Sequence, residues 1–257
     1  MKLGFLGTGA ITSAMVTGLA AAGSRHAIFL SPRNPDVAAG LAARYREVRV
    51  AGSNQQVVDE CETVVLAVRP QIAAAVIPEL LFRPGQHVIS VISGFPVARI
   101  SALVAPAGKI TRAVPLPSAA RRRSPTGVYP PDPATIELFS SLGAAFGVES
   151  ETEFSAVCSV TATMAAWFAF ADATASWLAE QGVPPYKARD YIARIYLGMA
   201  ETAVERPEET FQALAKEHAT RGGTNEQFLG HLTAHGVFEQ VSGGLDGILR
   251  RVTAKSA

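Results

Sequence analysis

The sequence predicts an α/β domain with a doubly wound, mostly parallel sheet followed by an all-helical half, and three observations carry that expectation. A glycine-rich turn, Gly7-Thr8-Gly9, directly follows a short apolar strand at the start of the chain. Short apolar runs then alternate with helical patterns as far as Val114. From Glu151 onward strand signals almost vanish, which places a boundary near residue 150 and gives domains 1–150 and 151–257.

The first run, KLGFLGTGAI from Lys2 to Ile11, sets an apolar strand against the turn. Gly7 lets the chain reverse sharply, and Gly9 leaves room for a pyrophosphate to reach the unpaired amides of a helix N-terminus. Thr12 replaces the third glycine of the GxGxxG pattern, and GxG alone also serves ordinary turns. Ile11, Met15, Val16 and Leu19 recur at helical spacing, Gly23 marks the helix end, and Ala27 to Ser31 reads as a second strand. Together they form a βαβ unit of the length a dinucleotide fold requires. A secretory signal is the competing reading of this N-terminus, but Thr8, Thr12, Ser13 and two glycines interrupt the apolar run it needs.

Further strands are expected near Val48, at Thr63 to Val68, at His87 to Ser93 and at Lys109 to Val114. Such alternation places ligands beyond the carboxyl ends of the strands. The proline-rich, basic stretch from Pro115 to Pro133 breaks the rhythm, and one more helix is expected at about 133–146. In the second half a long helix should run from Glu153 to Gln181, stopped by Gly182 and Pro184. Others follow near Pro185 to Glu205 and Pro207 to Glu217. Gly222-Gly223-Thr224-Asn225 then opens two more.

With 257 residues, 48% hydrophobic and 18% charged, the chain can bury a sizeable core. A formal net charge of +1 gives no general attraction to nucleic acid or an anionic membrane. Two cysteines, Cys61 and Cys158, lie far apart, which fits a reducing cytoplasm and no cysteine metal site. Val160 to Leu178 is nearly long enough to span a membrane, yet Asp172 sits in its middle among Thr and Ser, so an interface helix is the expected reading. His231 and His235 stand one helical turn apart without an evident third ligand, so no metal site is expected.

The second strand ends in Ser31-Pro32-Arg33-Asn34. NAD-binding versions of such a fold carry an acidic residue here for the ribose hydroxyls. A hydroxyl, a guanidinium and an amide suit a 2'-phosphate instead, which points to NADPH over NADH. Arg33 as a plain solvated loop residue is the alternative.

At these residues the chain resembles the pyrroline-5-carboxylate reductase family over nearly its whole length. GFLGTGAI is similar to that family's glycine-rich opening, Ser31 to Asn34 to its NADP-selecting loop, and Asn54 to the asparagine it sets against the adenosine. LAVRPQ at Leu66 to Gln71 stands where the family has a strand followed by Lys-Pro-Gln. SVISG at Ser90 to Gly94 and ITRAVP at Ile110 to Pro115 also match its pattern. The resemblance implies a Rossmann-type N-terminal domain followed by an all-α C-terminal dimerisation domain, the 6-phosphogluconate-dehydrogenase-like plan. It implies coenzyme contacts from Leu6, Gly7, Thr8, Gly9, Ala10 and Ile11, from Ser31, Arg33, Asn34 and Asn54, and from Ala67, Val68, Arg69, Pro70 and Gly94. A homodimer or higher homo-oligomer follows from it too.

The substrate half is similar in layout but altered. The family's Ser-Gly-Ser-Gly-Pro-Ala-Tyr appears as Thr161 to Trp167, and its Pro-Gly-Gly-Thr-Thr loop as Arg221 to Asn225. Hydroxyls persist at Thr161, Thr163 and Thr224, whereas Asn225 replaces the threonine that lies near the imine nitrogen in the family, and Leu116 replaces an asparagine. On this resemblance Thr161, Gly222, Gly223 and Thr224 would bind substrate, the loop amides forming a carboxylate cradle. Asn225, Thr224 and Thr163 would be catalytic. A double glycine that only caps a turn is the plain alternative.

The activity these residues imply is NADPH-dependent reduction of a small cyclic imine carboxylate, pyrroline-5-carboxylate first. Reduction of another imine or carbonyl, or NADP binding without catalysis, are the alternatives that the altered pocket residues leave open. No lysine lies between Lys109 and Lys187, which disfavours the hydroxyacid dehydrogenases of the same plan. Arg121-Arg122-Arg123 is expected beyond the nicotinamide strand, where it would attract an acidic substrate.

Overall fold

Apolar residues alternate along β1 (Lys2–Leu6) so that Leu3 and Phe5 enter one core and Leu6 the other, the pattern of a strand buried on both faces. In this computed structural model, which describes residues 1–254, the chain forms two compact units. Unit 1 comprises Met1–Cys158 with the helical turn beginning at Arg250, and unit 2 comprises Ser159–Leu249.

In unit 1, β1 is followed by α1 (Ala10–Ala21), β2 (Ala27–Leu30), α2 (Pro35–Arg44), β3 (Val48–Val50), α3 (Asn54–Glu60), β4 (Thr63–Leu66) and α4 (Pro70–Val76). Then come β5 (His87–Ser90), α5 (Val97–Leu103), β6 (Lys109–Val114), β7 (Ser124–Tyr129), α6 (Pro133–Ser140), β8 (Gly143–Gly147) and α7 (Glu151–Val160). The eight strands form one sheet in the order β3-β2-β1-β4-β5-β6-β7-β8. Its first six are parallel, the doubly wound order with its switch point between β1 and β4. Helices cover both faces: α1, α2 and α6 close over Phe5, Leu30, Val65 and Ile89, while α3, α4 and α5 close over Leu6, Val64, Leu66 and Val88.

Two stretches differ from the sequence expectation. Residues 115–133 hold a 3-10 turn at Pro117–Arg121 and strand β7, which runs antiparallel to β6. Pro125 lies outside the β6 pairing, which spans Gly127 to Tyr129, so its missing N–H breaks no bond of that ladder. The helix expected over 133–146 ends at Ser140, and Gly143–Gly147 forms β8, parallel to β7. Gly143 (φ +147°) explains the stop, because a Cβ there would stand 2.4 Å from the Ser124 nitrogen. Its Ala-Ala-Phe run carries little strand preference, which hid it.

Also unforeseen is a polar cluster inside unit 1. His87 Nε2 lies 3.0 Å from Thr111 Oγ1 and 3.4 Å from Thr135 Oγ1, and Asp132 caps α6 while pairing with Lys109. Burial, and then the Lys109 charge, push His87 down to about 4. The unfolded chain therefore takes up a proton between about pH 6.5 and 4 that the folded one refuses, so stability falls as pH falls through that window. Asp132, held below its ordinary value, adds to the loss at still lower pH. We expect urea denaturation to lose about 2 kcal/mol between pH 7 and pH 4 from His87, and His87→Gln to flatten that slope. An unchanged slope in the variant would refute the assignment.

The helical half begins where α7 ends, and the long helix expected from Glu153 is interrupted by a turn at Thr161–Ala162. There follow α8 (Thr163–Glu180), α9 (Pro185–Glu205), α10 (Phe211–His218), α11 (Thr224–Ala234) and α12 (Val237–Ala254). α9 has its expected bounds, and α10 starts four residues after Pro207. In α8 no residue is buried within the single chain, and Trp167, Phe168 and Trp177 are exposed. By length and composition alone the run Glu151–Glu180 could cross a membrane, although Asp172 lies within it.

Candidate active site

The parallel strands deliver their carboxyl ends to one edge of the sheet. Ser31 N–H bonds to Phe5 O (3.0 Å), Ala67 N–H to Leu6 O (2.8 Å) and Val91 N–H to Leu66 O (3.0 Å), so the segments after β1, β2, β4 and β5 leave side by side. Gly7 turns with φ +102°, and a Cβ on it would stand 2.6 Å from the Ala67 carbonyl oxygen. No larger residue fits between these strands. Gly9, by contrast, is open: nothing lies within 4 Å of where its Cβ would be.

Gly9 is also the N-cap of α1, and no side chain caps that helix. The first helical bond runs from Ser13 N–H to Gly9 O, so the amides of Ala10, Ile11 and Thr12 precede it, aimed out of the helix end. Open space beside a glycine and uncapped amides are what a coenzyme diphosphate needs. Thr12, which stands in for the third glycine, is fully buried and donates to Gly7 O (2.6 Å), locking the turn from beneath. Close helix packing has moved to Gly18, where a Cβ would meet the Ala119 carbonyl at 2.1 Å. A lone glycine amid an apolar helical run was the available signal.

The loop after β2 departs from expectation. Ser31 is fully buried, and its Oγ accepts from Gly7 N–H (2.9 Å); Thr8 Oγ1 donates to Ser31 O (2.9 Å). Asn34, in the left-handed region (φ 68°), donates its side-chain amide to Thr8 O (3.0 Å). Ser31 and Asn34 thus hold the glycine turn, because the reversal after β1 leaves polar backbone groups that need partners, while Asn34 itself stays exposed. Arg33 remains exposed and, among the described residues, without an ion pair.

The remaining residues expected at this edge are placed there by the parallel register. Leu6 ends β1 and is itself buried; Asn54 is the first residue of α3, half-buried beside the Ser53 cap. Ala67 and Val68 are half-buried, Arg69 and Pro70 open α4, and Gly94 turns with φ +75° after β5. The basic run Arg121–Arg123 lies in the connection from β6 to β7. Ala119 packs on Gly18, and Ala120 lines a hollow with Thr17, Ala20 and Gly23 at the far end of α1, some twelve residues from Gly9.

In unit 2 the glycine loop is less free than expected. Gly222 N–H donates to Glu226 Oε2 (2.7 Å) and Gly223 N–H to Thr220 O (2.9 Å), so two of the three amides of the expected carboxylate cradle are already paired. Glu226 takes the place an incoming anion would have, a helix-capping role for an acidic side chain in the first turn. Thr224 and Asn225 are the exposed first residues of α11, behind a Gly223 cap with no side-chain bond. Thr163 opens α8 and donates its hydroxyl to Val160 O (2.8 Å), while Thr161 lies in the preceding turn. Burial pushes the Cys61 thiol up to about 12 and Cys158 to about 11, so neither is a nucleophile at neutral pH. His231 and His235 stack at 4.3 Å on an exposed face, and no group of three or more potential metal ligands occurs among the described residues.

Known proteins match the two halves of the chain separately and together. Residues 2–94 match the family model described as NADP oxidoreductase coenzyme F420-dependent, and residues 151–254 match that of pyrroline-5-carboxylate reductase dimerisation. A pyrroline-5-carboxylate reductase of Vibrio alginolyticus is 26% identical over 261 residues, covering 97% of this chain and 96% of the relative. One from Pseudomonas aeruginosa is 25% identical, covering 97% and 95%. The solved structure of a pyrroline-5-carboxylate reductase from Coxiella burnetii, 24% identical, superposes with a TM-score of 0.89 over 100% of this chain and 98% of that one, and so shares its fold. The second half thus matches the pyrroline-5-carboxylate reductase dimerisation model, and the chain is similar to pyrroline-5-carboxylate reductases over nearly its whole length.

Proposed function

We propose that the protein is an NADPH-dependent oxidoreductase that reduces a small cyclic imine carboxylate, with pyrroline-5-carboxylate, giving proline, as its first candidate substrate. The observation that carries this reading is an uncapped, unobstructed helix N-terminus at Gly9, at the switch point of a doubly wound sheet, in a chain whose other half matches the reductase dimerisation model. Residues 1–150 serve the coenzyme, and residues 151–257 serve substrate and dimer formation.

When bound, NADPH would supply a hydride to the imine carbon. Gly7, Thr8 and Gly9, with the amides of Ala10 and Ile11, hold its diphosphate, and Arg33 pairs with the 2'-phosphate. Leu6, Asn54, Ala67, Val68, Arg69, Pro70 and Gly94 frame the rest of the coenzyme. A protonated imine is already electrophilic, so the chain needs no strong acid; holding the reactants in line provides much of the rate. Thr161 and the Gly222–Thr224 loop bind the carboxylate, chiefly through the amides left at the start of α11. Asn225 offers its side-chain oxygen to the imine nitrogen, with the Thr224 and Thr163 hydroxyls beside it.

Arg33→Ala is expected to weaken NADPH binding about 10- to 100-fold and to leave NADH nearly unchanged, since a charge-assisted hydrogen bond is worth roughly 1.5 to 3 kcal/mol. Titration of both coenzymes checks this, and an unchanged NADPH preference would take Arg33 out of the site. NADPH oxidation against a panel of cyclic imines tests the substrate. Paired amides at Gly222 and Gly223 favour, as a second reading, an imine or carbonyl that lacks the carboxylate; turnover of such compounds alone would select it.

Exposed Trp167, Phe168, Trp177 and Phe211 support a homo-oligomer, at least a dimer, that buries them. Cys61 and Cys158, neither of them in a disulfide, suit a cytoplasmic enzyme.

A further inference from the structure

Glu151 opens α7, yet its side chain is committed to the sheet. Its Oε2 pairs with Nη1 of Arg112, a buried cation on β6 whose guanidinium lies 4.3 Å from the centroid of the Phe154 ring. The other oxygen, Oε1, accepts from the N–H of Val97 (2.7 Å), the first residue of α5. Pro96 is the N-cap of that helix and provides no capping side chain. A carboxylate 54 positions away in sequence therefore caps α5.

Stability alone gives little reason for this ion pair. Taking the Arg112 guanidinium out of water costs several kcal/mol, which a partly exposed Glu151 repays only in part, and an apolar pair of similar volume would hold β6 to α7 as well or better. What an apolar pair cannot supply is an acceptor for Val97. That amide ends the segment Gly94–Pro96, which leaves β5 at the carboxyl edge: Val91 N–H bonds to Leu66 O, and Ala67 N–H to Leu6 O just before the glycine turn. Gly94 adopts φ +75°, and Phe95 is buried with the Arg99 guanidinium 4.0 Å above its ring. The segment is thus anchored at Phe95 and at Val97, and the second anchor is Glu151.

We propose that Glu151 is a positioning residue for the coenzyme: by capping α5 it fixes the β5–α5 segment at the same carboxyl edge as the Gly7–Gly9 turn, with the β4–α4 segment between them, and Arg112 serves to hold its carboxylate in that place. This rests on the reading that the coenzyme binds at that edge. Removing Glu151 alone would strand a buried Arg112, so the test uses two double variants that leave no buried charge. Arg112→Met with Glu151→Gln keeps an oxygen for Val97; Arg112→Met with Glu151→Ala does not.

The expected result is an NADPH dissociation constant about ten-fold higher in the alanine double variant, on the order of one lost hydrogen bond, with faster hydrogen exchange in the peptide containing Val97. The glutamine double variant should bring affinity back to within about two-fold of wild type while melting at a similar temperature to its alanine counterpart. Equal affinities and equal exchange in the two double variants would overturn the proposal. Wild-type protein that binds no coenzyme would remove the underlying reading as well, so the two failures are distinguishable.

Discussion

Gly9→Ala is expected to lower NADPH affinity by at least about 30-fold, roughly 2 kcal/mol, while leaving the melting temperature of the coenzyme-free protein within about a degree. Both halves of that expectation come from one geometry. The backbone at Gly9 is extended (φ −100°, ψ −167°), a conformation any residue adopts, and no protein atom lies within 4 Å of the added Cβ. The methyl group enters only the space through which a diphosphate reaches the α1 amides. Gly7→Ala, one turn position earlier, supplies the contrast: its Cβ would press on the backbone of Ala67 and would require φ +102°. That variant should lose both stability and binding. Calorimetric titration and thermal melting of the two variants decide the matter, and a Gly9→Ala protein that binds NADPH normally would place the coenzyme elsewhere.

Gly18→Ala should destabilise unit 1 by about 2 to 3 kcal/mol, even though alanine is the better helix former by about 1 kcal/mol. A methyl group at Gly18 would stand 2.1 Å from the Ala119 carbonyl oxygen and 2.7 Å from Leu142, so α1 and the turn at 117–121 must part. At a few degrees per kcal/mol for a chain of this size, Tm should drop by about 5 to 10 °C. Gly40→Ala is the matched control, since Gly40 sits inside α2 with nothing within 4 Å of its Cβ. There the propensity gain stands alone, and a rise of about 0.5 to 1 kcal/mol is expected. A Gly18→Ala protein as stable as wild type would show that the close approach is not needed.

The parts of the fold that were legible in the sequence are those with strong local periodicity. Strands β1, β2, β4, β5 and β6 are apolar runs between turn signals, and α9 is bounded by prolines and a polar exit. β7 and β8 were hidden because their sequences, SPTGVY and GAAFG, lack β-branched alternation and owe their strand state to pairing with β6 and with each other. In the candidate site, the glycine turn announced itself, whereas the distribution of hydrogen bonds did not. Ser31 and Asn34 match a phosphate-binding loop by residue type, but the backbone of the turn claims both side chains. Gly222 and Gly223 likewise look free until Glu226 and Thr220 are found bonded to their amides. Glu151 and Arg112 were beyond sequence reasoning, since nothing local joins two residues 39 positions apart.

The most direct test of this account is calorimetric titration of NADPH and NADH into the wild-type protein. The account requires saturable binding of one NADPH per chain, tighter than NADH. Absence of binding by either coenzyme would contradict it.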